Sequence, residues 1–245
     1  MKKKKKLKQR EYSLDDPKSK KEYNEKLFSI IAPYYNVITR ILSFGSDKKW
    51  KNLLVKRLPV LEKPVCLDLA CGTGDICRKL ANKYPGARIT GVDINENMLL
   101  LAQNTTFNNE VKYANMNMAD LKYEPDQFDL VTGSYALRNS PELNKTIEQI
   151  HRILKHKGTA AFLDFSKSHR KFWQAVVIFI LNIWGSIWGF FFHGNREIYA
   201  YIAESLKRFP DRIRIKEMFK NSGFDIIFCK TLFFGILEIL IVRKN

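Results

Sequence analysis

Asp68-Leu69-Ala70-Cys71-Gly72-Thr73-Gly74 takes the chain from an apolar run sharply into a helix, and glycines at 72 and 74 let a ligand approach the backbone. A dinucleotide site wants a further glycine or alanine at position 77 to seat a pyrophosphate. This chain has Cys77 instead, and Asp75 beside the helix start would repel phosphate. Ile89-Thr90-Gly91-Val92-Asp93 then delivers a carboxylate roughly 20 residues after the glycines, where a nucleoside ribose lies and Asp93 can accept from both hydroxyls. A glycine loop alone could be a tight turn; loop plus acid at this spacing points to a nucleoside. A nucleoside without a phosphate cradle, ending in an amino acid, describes S-adenosylmethionine, its ammonium matched by acceptors near Asp68 or by carbonyls. Asn117, with Met118 beside it, is a candidate for the adenine, and both read equally well as loop residues. Ser134 and Tyr135 end a strand and would face the reactive end of such a ligand.

The elements that must position these residues follow an alternating pattern. Short apolar runs near 65–69, 88–93, 110–115, 128–134 and 158–165 read as strands, separated by helical patterns near 74–84, 95–104 and 141–155. Runs at 225–228 and 237–242, parted by Gly235, read as an antiparallel hairpin at the sheet edge. The expected fold is α/β, a Rossmann-like seven-stranded sheet of the class I methyltransferase kind. Ligands of such sheets gather at the carboxyl ends of the strands, which makes all the positions above neighbours. Residues 23–60 read as an N-terminal helical cap, with apolar residues from Leu27 to Tyr35 and a helix near Asp47 to Leu58. Residues 61–245 form the main domain, and residues 1–22, lysine-rich and without periodicity, are expected to be a disordered basic tail.

The net charge is +17, of which only +6 falls in residues 1 to 26, so the folded part is itself basic. That field favours an anionic partner: an anionic membrane surface, an acidic substrate or nucleic acid. No aromatic-basic RNA motif accompanies it, so nucleic acid is not expected as a partner. The start Met1-Lys2-Lys3-Lys4-Lys5-Lys6 lacks the apolar stretch of a signal peptide, which points to the cytoplasm. Cys66, Cys71, Cys77 and Cys229 form no CxxC pair and no zinc-like grouping with the four scattered histidines, so they read as reduced thiols and no metal is expected. A homodimer is allowed for, with no residue that argues it.

Phe172 to Phe192 is almost unbrokenly apolar, and its 21 residues would reach about 31 Å as a helix, enough to cross a bilayer. A crossing would strand the C-terminal hairpin on the wrong side of the membrane from its sheet. A hydrophobic helical lid, either buried or lying in the interface, fits better. Trp184 and Trp188 suit an interface, and Lys167, His169, Arg170, Lys171 and Arg196 flank the stretch with charge that anionic lipids attract.

Several further stretches resemble one family, the quinone-biosynthesis C-methyltransferases that act on demethylmenaquinol and the benzoquinol precursor of ubiquinone. They are Ala32-Pro33-Tyr34-Tyr35-Asn36, Ser43-Phe44-Gly45 with Trp50, Ser134-Tyr135-Ala136-Leu137-Arg138-Asn139, Arg152-Ile153-Leu154-Lys155, Asp164-Phe165-Ser166, and Tyr199 through Phe209-Pro210. The glycine loop is common to many methyltransferases; Leu137-Arg138-Asn139 and the 201–210 stretch are more particular. The resemblance implies cofactor contacts at Thr73, Asp93, Asn117, Met118 and Ser134, and an acceptor side lined by Arg138 and Asn139. It implies a lipophilic, polyprenylated quinol as substrate; the apolar stretch and its flanking charge lead to an expected peripheral place at the inner face of the membrane. The chain departs from the family at Asn36, at Ser140-Pro141, where a valine usually follows, and at Met118, where alanine is usual. Carbon methylation requires a ring hydroxyl to ionise; Arg138 stays protonated and so would stabilise the phenolate, with Asn139 fixing geometry and a water removing the proton. His193 is the alternative base. Methylation of another lipid or small molecule, or of RNA, are the competing functions.

Overall fold

The computed structural model describes residues 7–105 and 111–245. The Met1 to Lys6 run and residue 110 of the expected third strand lie outside the described residues. Residues 7–22 belong to the fold, contrary to the tail expected for 1–22. Asp16 accepts from the Ser19 amide and Pro17 occupies the first turn, so helix α1 spans Pro17–Ile31. Leu14 is buried, and Asn195 Nδ2 donates to the Leu7 carbonyl. Lys20 Nζ donates to the carbonyls of Ser140 at 2.6 Å and Arg138 at 3.3 Å. Burial, with Arg138 nearby, pulls the Lys20 ammonium down to about 8. Charged residues that bond to carbonyls leave no hydrophobic period, which is why this stretch reads as a tail.

Helices α2 (Tyr35–Leu42) and α3 (Asp47–Arg57) complete the cap. The sheet then follows as β1 (Val65–Leu69), α4 (Asp75–Lys83), β2 (Arg88–Asp93), α5 (Glu96–Thr105), β3 (Val111–Asn115) and β4 (Phe128–Ser134). After these come α6 (Leu143–Ile153), β5 (Leu154–Phe165), α7 (Lys171–His193), α8 (Glu197–Arg208), α9 (Arg212–Asn221), β6 (Phe224–Leu232) and β7 (Leu237–Lys244). Strand β5 starts four residues earlier than the sequence pattern suggests because Leu154 is extended and pairs with Phe128.

The seven strands lie in the order β3-β2-β1-β4-β5-β7-β6, with only β7 antiparallel to its neighbours. The chain leaves β1 toward β2 and β3 on one side and returns to β4 and β5 on the other, so the crevice between the ends of β1 and β4 is the switch point where ligands bind. Alternation along the strands divides the core. Leu67, Leu69, Val131 and Phe162 pack against α6 and α9, whereas Cys66, Ile89, Leu130 and Leu163 pack against α3 and α4. A third cluster joins Tyr23, Leu27 and Ile38 of the cap to Ile198, Tyr199 and Tyr201 of α8.

Helix α7 lies along α8 and the chain returns through Gly194 to complete the sheet, so α7 does not cut the domain in two. Of its residues only Gly185 and Gly189 are fully buried. A Cβ at Gly185 would come within 2.4 Å of the Tyr199 carbonyl, and one at Gly189 within 2.6 Å of the Asn195 carbonyl. Helix α7 therefore meets α8 at Gly185, and the turn before α8 at Gly189, backbone to backbone, while Phe172, Phe179, Ile183, Phe190 and Phe191 face outward. Trp184 and Trp188, expected at an interface, instead bury their indole nitrogens.

Candidate active site

Beyond β1 the chain turns through Ala70, at φ +47°, and Gly72, whose amide donates to Asp93 Oδ2 at 2.9 Å. Gly74 sits at φ +76°, and a Cβ there would lie 2.4 Å from Tyr113 Oη, so both its conformation and its surroundings demand glycine. The other oxygen of Asp93 accepts from the Asn95 amide at 2.9 Å. Burial raises the Asp93 carboxyl above the ordinary range, opposed by these backbone donors. Asn95 in turn donates to the Glu25 carbonyl and Ser29 Oγ, tying α1 across the strand ends.

A first cavity opens at this switch point, and its wall brings together Gly72, Asp93, Asn117, Met118, Ser134 and Asn139. Asp68, Thr73 and Gly74 are not on that wall. Asp68 is 1% exposed, accepts from Thr132 Oγ1 at 2.7 Å and Cys77 Sγ at 3.5 Å, and is pushed up by burial to about 7. It braces β1 against β4 beneath the loop. The Thr73 hydroxyl donates to Asn36 Oδ1 at 3.0 Å, so the unusual Asn36 latches the cap to the loop. Asn117 caps its own turn, accepting from the Ala119 amide at 3.0 Å. Two wall oxygens, Ser134 Oγ and Asn24 Oδ1, are buried without a hydrogen-bond partner. Unsatisfied buried oxygens are costly, and they suit a ligand that brings donors.

A second cavity of about 120 Å³ adjoins the first and is mostly apolar. Its lining comes from distant elements, among them Leu27 of α1, Ile38 of α2, Trp50 of α3, Trp184 of α7, Tyr201 of α8 and Phe233. Phe28, Tyr35, Tyr135 and Asn139 line both cavities. Arg138 lines only the second, at 4% exposure. Its Nη1 donates to Ser205 Oγ, and its guanidinium lies 4.9 Å from the Phe165 ring centroid and 5.7 Å from that of Tyr201. Its Nε has no partner, and among the described residues no carboxylate is within ion-pairing distance of it. Asn139 is spoken for: its Nδ2 donates to the Tyr135 carbonyl at 2.8 Å and its Oδ1 accepts from Tyr201 Oη at 3.3 Å. It holds the wall rather than offering a free amide.

None of the four histidines lines either cavity. His193 Nε2 is bonded to Tyr199 Oη at 2.9 Å, and burial lowers its pKa. Asn24 is a lining residue that no sequence pattern singles out, while Phe28 and Tyr35 read only as apolar residues of the cap, Tyr35 also within the Ala32–Asn36 stretch. Tyr135 carries one readable signal, its place directly after a strand at the carboxyl edge.

The description "ubiE/COQ5 methyltransferase family" matches residues 16–244. A demethylmenaquinone methyltransferase from Thermotoga maritima is 32% identical over 222 residues, spanning 90% of this chain and 96% of that protein. A ubiquinone/menaquinone biosynthesis C-methyltransferase UbiE from Rickettsia akari is 33% identical over 222 residues, 87% of this chain and 89% of that one. Among solved structures, the methyltransferase held in complex with the Trm112 activator of Haloferax volcanii has a TM-score of 0.65 at 18% identity, covering 89% of this chain and 96% of its own, a likeness of fold. With two adjoining cavities at the carboxyl edge of a seven-stranded sheet and a family match across nearly its whole length, the chain belongs to the ubiE/COQ5 methyltransferase family.

Proposed function

We propose that this methyltransferase places a methyl group on a ring carbon of a polyprenylated quinol, demethylmenaquinol or the related benzoquinol precursor of ubiquinone. S-adenosylmethionine is the methyl donor; when bound, its sulfonium supplies an electrophilic methyl group. The observation that carries the reading is the shared wall: a cavity with the Asp93 carboxylate and two orphaned oxygens abuts an apolar one in which a buried guanidinium keeps an unpartnered nitrogen. Asp93 retains a lone pair on each oxygen for ribose hydroxyls, Asn117 keeps its amide nitrogen for the base, and Met118 packs beside it. Ser134 and Asn24 accept from the ammonium, Gly72 allows the close approach, and Gly74 fixes the turn that presents it. On the acceptor side, Arg138 stabilises the ring oxygen as it gains negative charge, and the apolar walls exclude water and orient the ring. The Thermotoga and Rickettsia relatives, whose names concern quinone biosynthesis, support the same acceptor class.

The enzyme works in the cytoplasm and docks peripherally on the anionic inner face of the membrane. Phe44 at the α2–α3 turn stacks on Trp184 and touches Phe233 of the acceptor cavity wall, Phe234, 98% exposed, lies against Phe233, and α7 turns further aromatic residues outward. An apolar patch of this kind flanked by Lys167, Arg170, Lys171 and Arg196 suits anionic lipid. Nucleic acid is not part of this reading: the exposed aromatic residues named above belong to the apolar face. A homodimer burying α7 is the competing use of that face, and another lipid would be the competing acceptor.

Labelled donor incubated with the enzyme and either extracted quinones or RNA tests the function. Label should enter the quinone fraction; label in RNA alone would overturn the reading. Flotation with anionic vesicles should recover the protein, less so at high salt and after Phe179→Ser or Phe234→Ser, whereas a salt-insensitive dimer in solution would replace the membrane reading.

A further inference from the structure

The wall between the two cavities carries a hydroxyl that the reaction above leaves idle. Tyr135 follows β4 in the left-handed region, at φ +58°, and its ring borders both cavities. Its Oη donates to Asp47 Oδ1 at 2.7 Å. The other oxygen of Asp47 is paired with Lys51 Nζ at 2.8 Å, and Lys51, only 6% exposed, also lies 3.1 Å from Asp75 Oδ2. Asp75 is partly open to solvent. Hydroxyl, carboxylate, ammonium and carboxylate thus run in file from the cavity wall to the surface, and among the described residues neither Asp164 nor Asp93 is so placed. Asp164 lines neither cavity and is engaged by the amides of Arg138 and Phe165; Asp93, on the cofactor side, holds Gly72 and Asn95.

We propose that Tyr135 and Asp47 are the proton relay that ionises the acceptor hydroxyl during methyl transfer, taking the place of a free water. Tyr135 is the catalytic residue because it touches the acceptor; Asp47 acts through it, and Lys51 positions Asp47. The proposal rests on the quinol reading. The acceptor O–H bond breaks and its proton goes to Tyr135 Oη, while the proton of Tyr135 passes to Asp47 Oδ1. The ring carbon, made electron-rich, forms its bond to the methyl group as the donor's sulfur–methyl bond breaks and its electron pair stays on sulfur, leaving the neutral thioether. The ring C–H bond then breaks, its proton leaving to water, and the proton on Asp47 returns through Tyr135 to the ring oxygen. One proton is released per methyl transferred. Burial and the neighbouring Asp47 hold the Tyr135 hydroxyl far above its usual value, so it conducts the proton and does not itself ionise.

The competing account is that this bond only pins α3 to the sheet. Steady-state kinetics of the full-length protein on a short-tailed quinol and on ring-substituted quinols of rising acidity separate the two. Tyr135→Phe and Asp47→Asn should each lower kcat on the parent quinol by about 10²-fold or more, the scale of general acid–base catalysis. KM and S-adenosylhomocysteine affinity should stay within about twofold, well inside that loss. The deficit should shrink as the acceptor becomes more acidic and needs less help to ionise. A loss equal for all acceptors, or one carried by KM or cofactor affinity, or no loss, would overturn the relay. If one variant no longer binds S-adenosylhomocysteine, the other decides. A wild-type protein that binds S-adenosylhomocysteine yet methylates no quinol would instead sink the function and the relay with it.

Discussion

The two adjoining cavities are built in opposite ways. The first is anchored where strands end: Ala70, Gly72, Asp93 and Ser134 belong to β1, β2 and β4 or to the turns directly after them, backbone geometry sets their places, and Asn24 and Phe28 of α1 close over them. The apolar one has few such fixed points. Its wall is assembled from side chains of α1, α2, α3, α7 and α8 and from the turn at Phe233, elements that meet only once the domain is packed. A cofactor site fixed by a sheet edge tolerates little change; an acceptor site lined by helices can be reshaped residue by residue.

Four measurements press on that difference. Gly74→Val should abolish S-adenosylhomocysteine binding and lower the melting temperature, because a left-handed position and a contact at 2.4 Å are violated together. Normal binding would show that the loop is not a fixed frame. Arg138→Ala should reduce turnover by about 10²–10³-fold, the scale of losing one oxyanion donor, with cofactor affinity unchanged in calorimetry. A loss confined to cofactor affinity would move Arg138 to the other cavity.

Asp68 tests the frame by pH. Its carboxyl titrates at about 7 in the folded chain against an ordinary 3.8, so the folded state binds the proton more tightly. Its contribution is fully present below the unfolded value and is lost as pH rises from about 4 to 7, by at most about 1.4 kcal/mol per pH unit. Asp68→Asn should flatten denaturant-measured stability across that window; an unchanged slope would mean that Asp68 is ionised when buried. Trp184→Ala, smallest of the four, should raise KM for a prenylated quinol by about tenfold through lost apolar contact, and leave cofactor binding alone.

The parts legible in the sequence are those where the reason is local. Glycines after an apolar run and an acid at the next strand tip announce Gly72 and Asp93 without any partner being known. The same motif does not say which of its side chains face the cavity, and Asp68 and Thr73 turn elsewhere because Thr132 and Asn36, distant in sequence, claim them, with Cys77 of the next helix also on Asp68. The start of the chain is opaque for a similar reason. Lys20 and Asn24 bond to carbonyls of the 138–140 segment, contacts that no periodicity encodes. Arg138 stands out in the sequence only by family resemblance; its orphaned Nε is a property of packing.

The grip of α7 on α8 through Gly185 and Gly189 leaves the aromatic exterior of that helix without any duty to the interior. With α7 docking on the membrane as proposed, delivery and chemistry would be separable properties of one molecule. Serine or glutamate at Phe172, Phe179 and Phe190 should yield an enzyme that has lost its address but still turns over short-tailed acceptors in plain buffer.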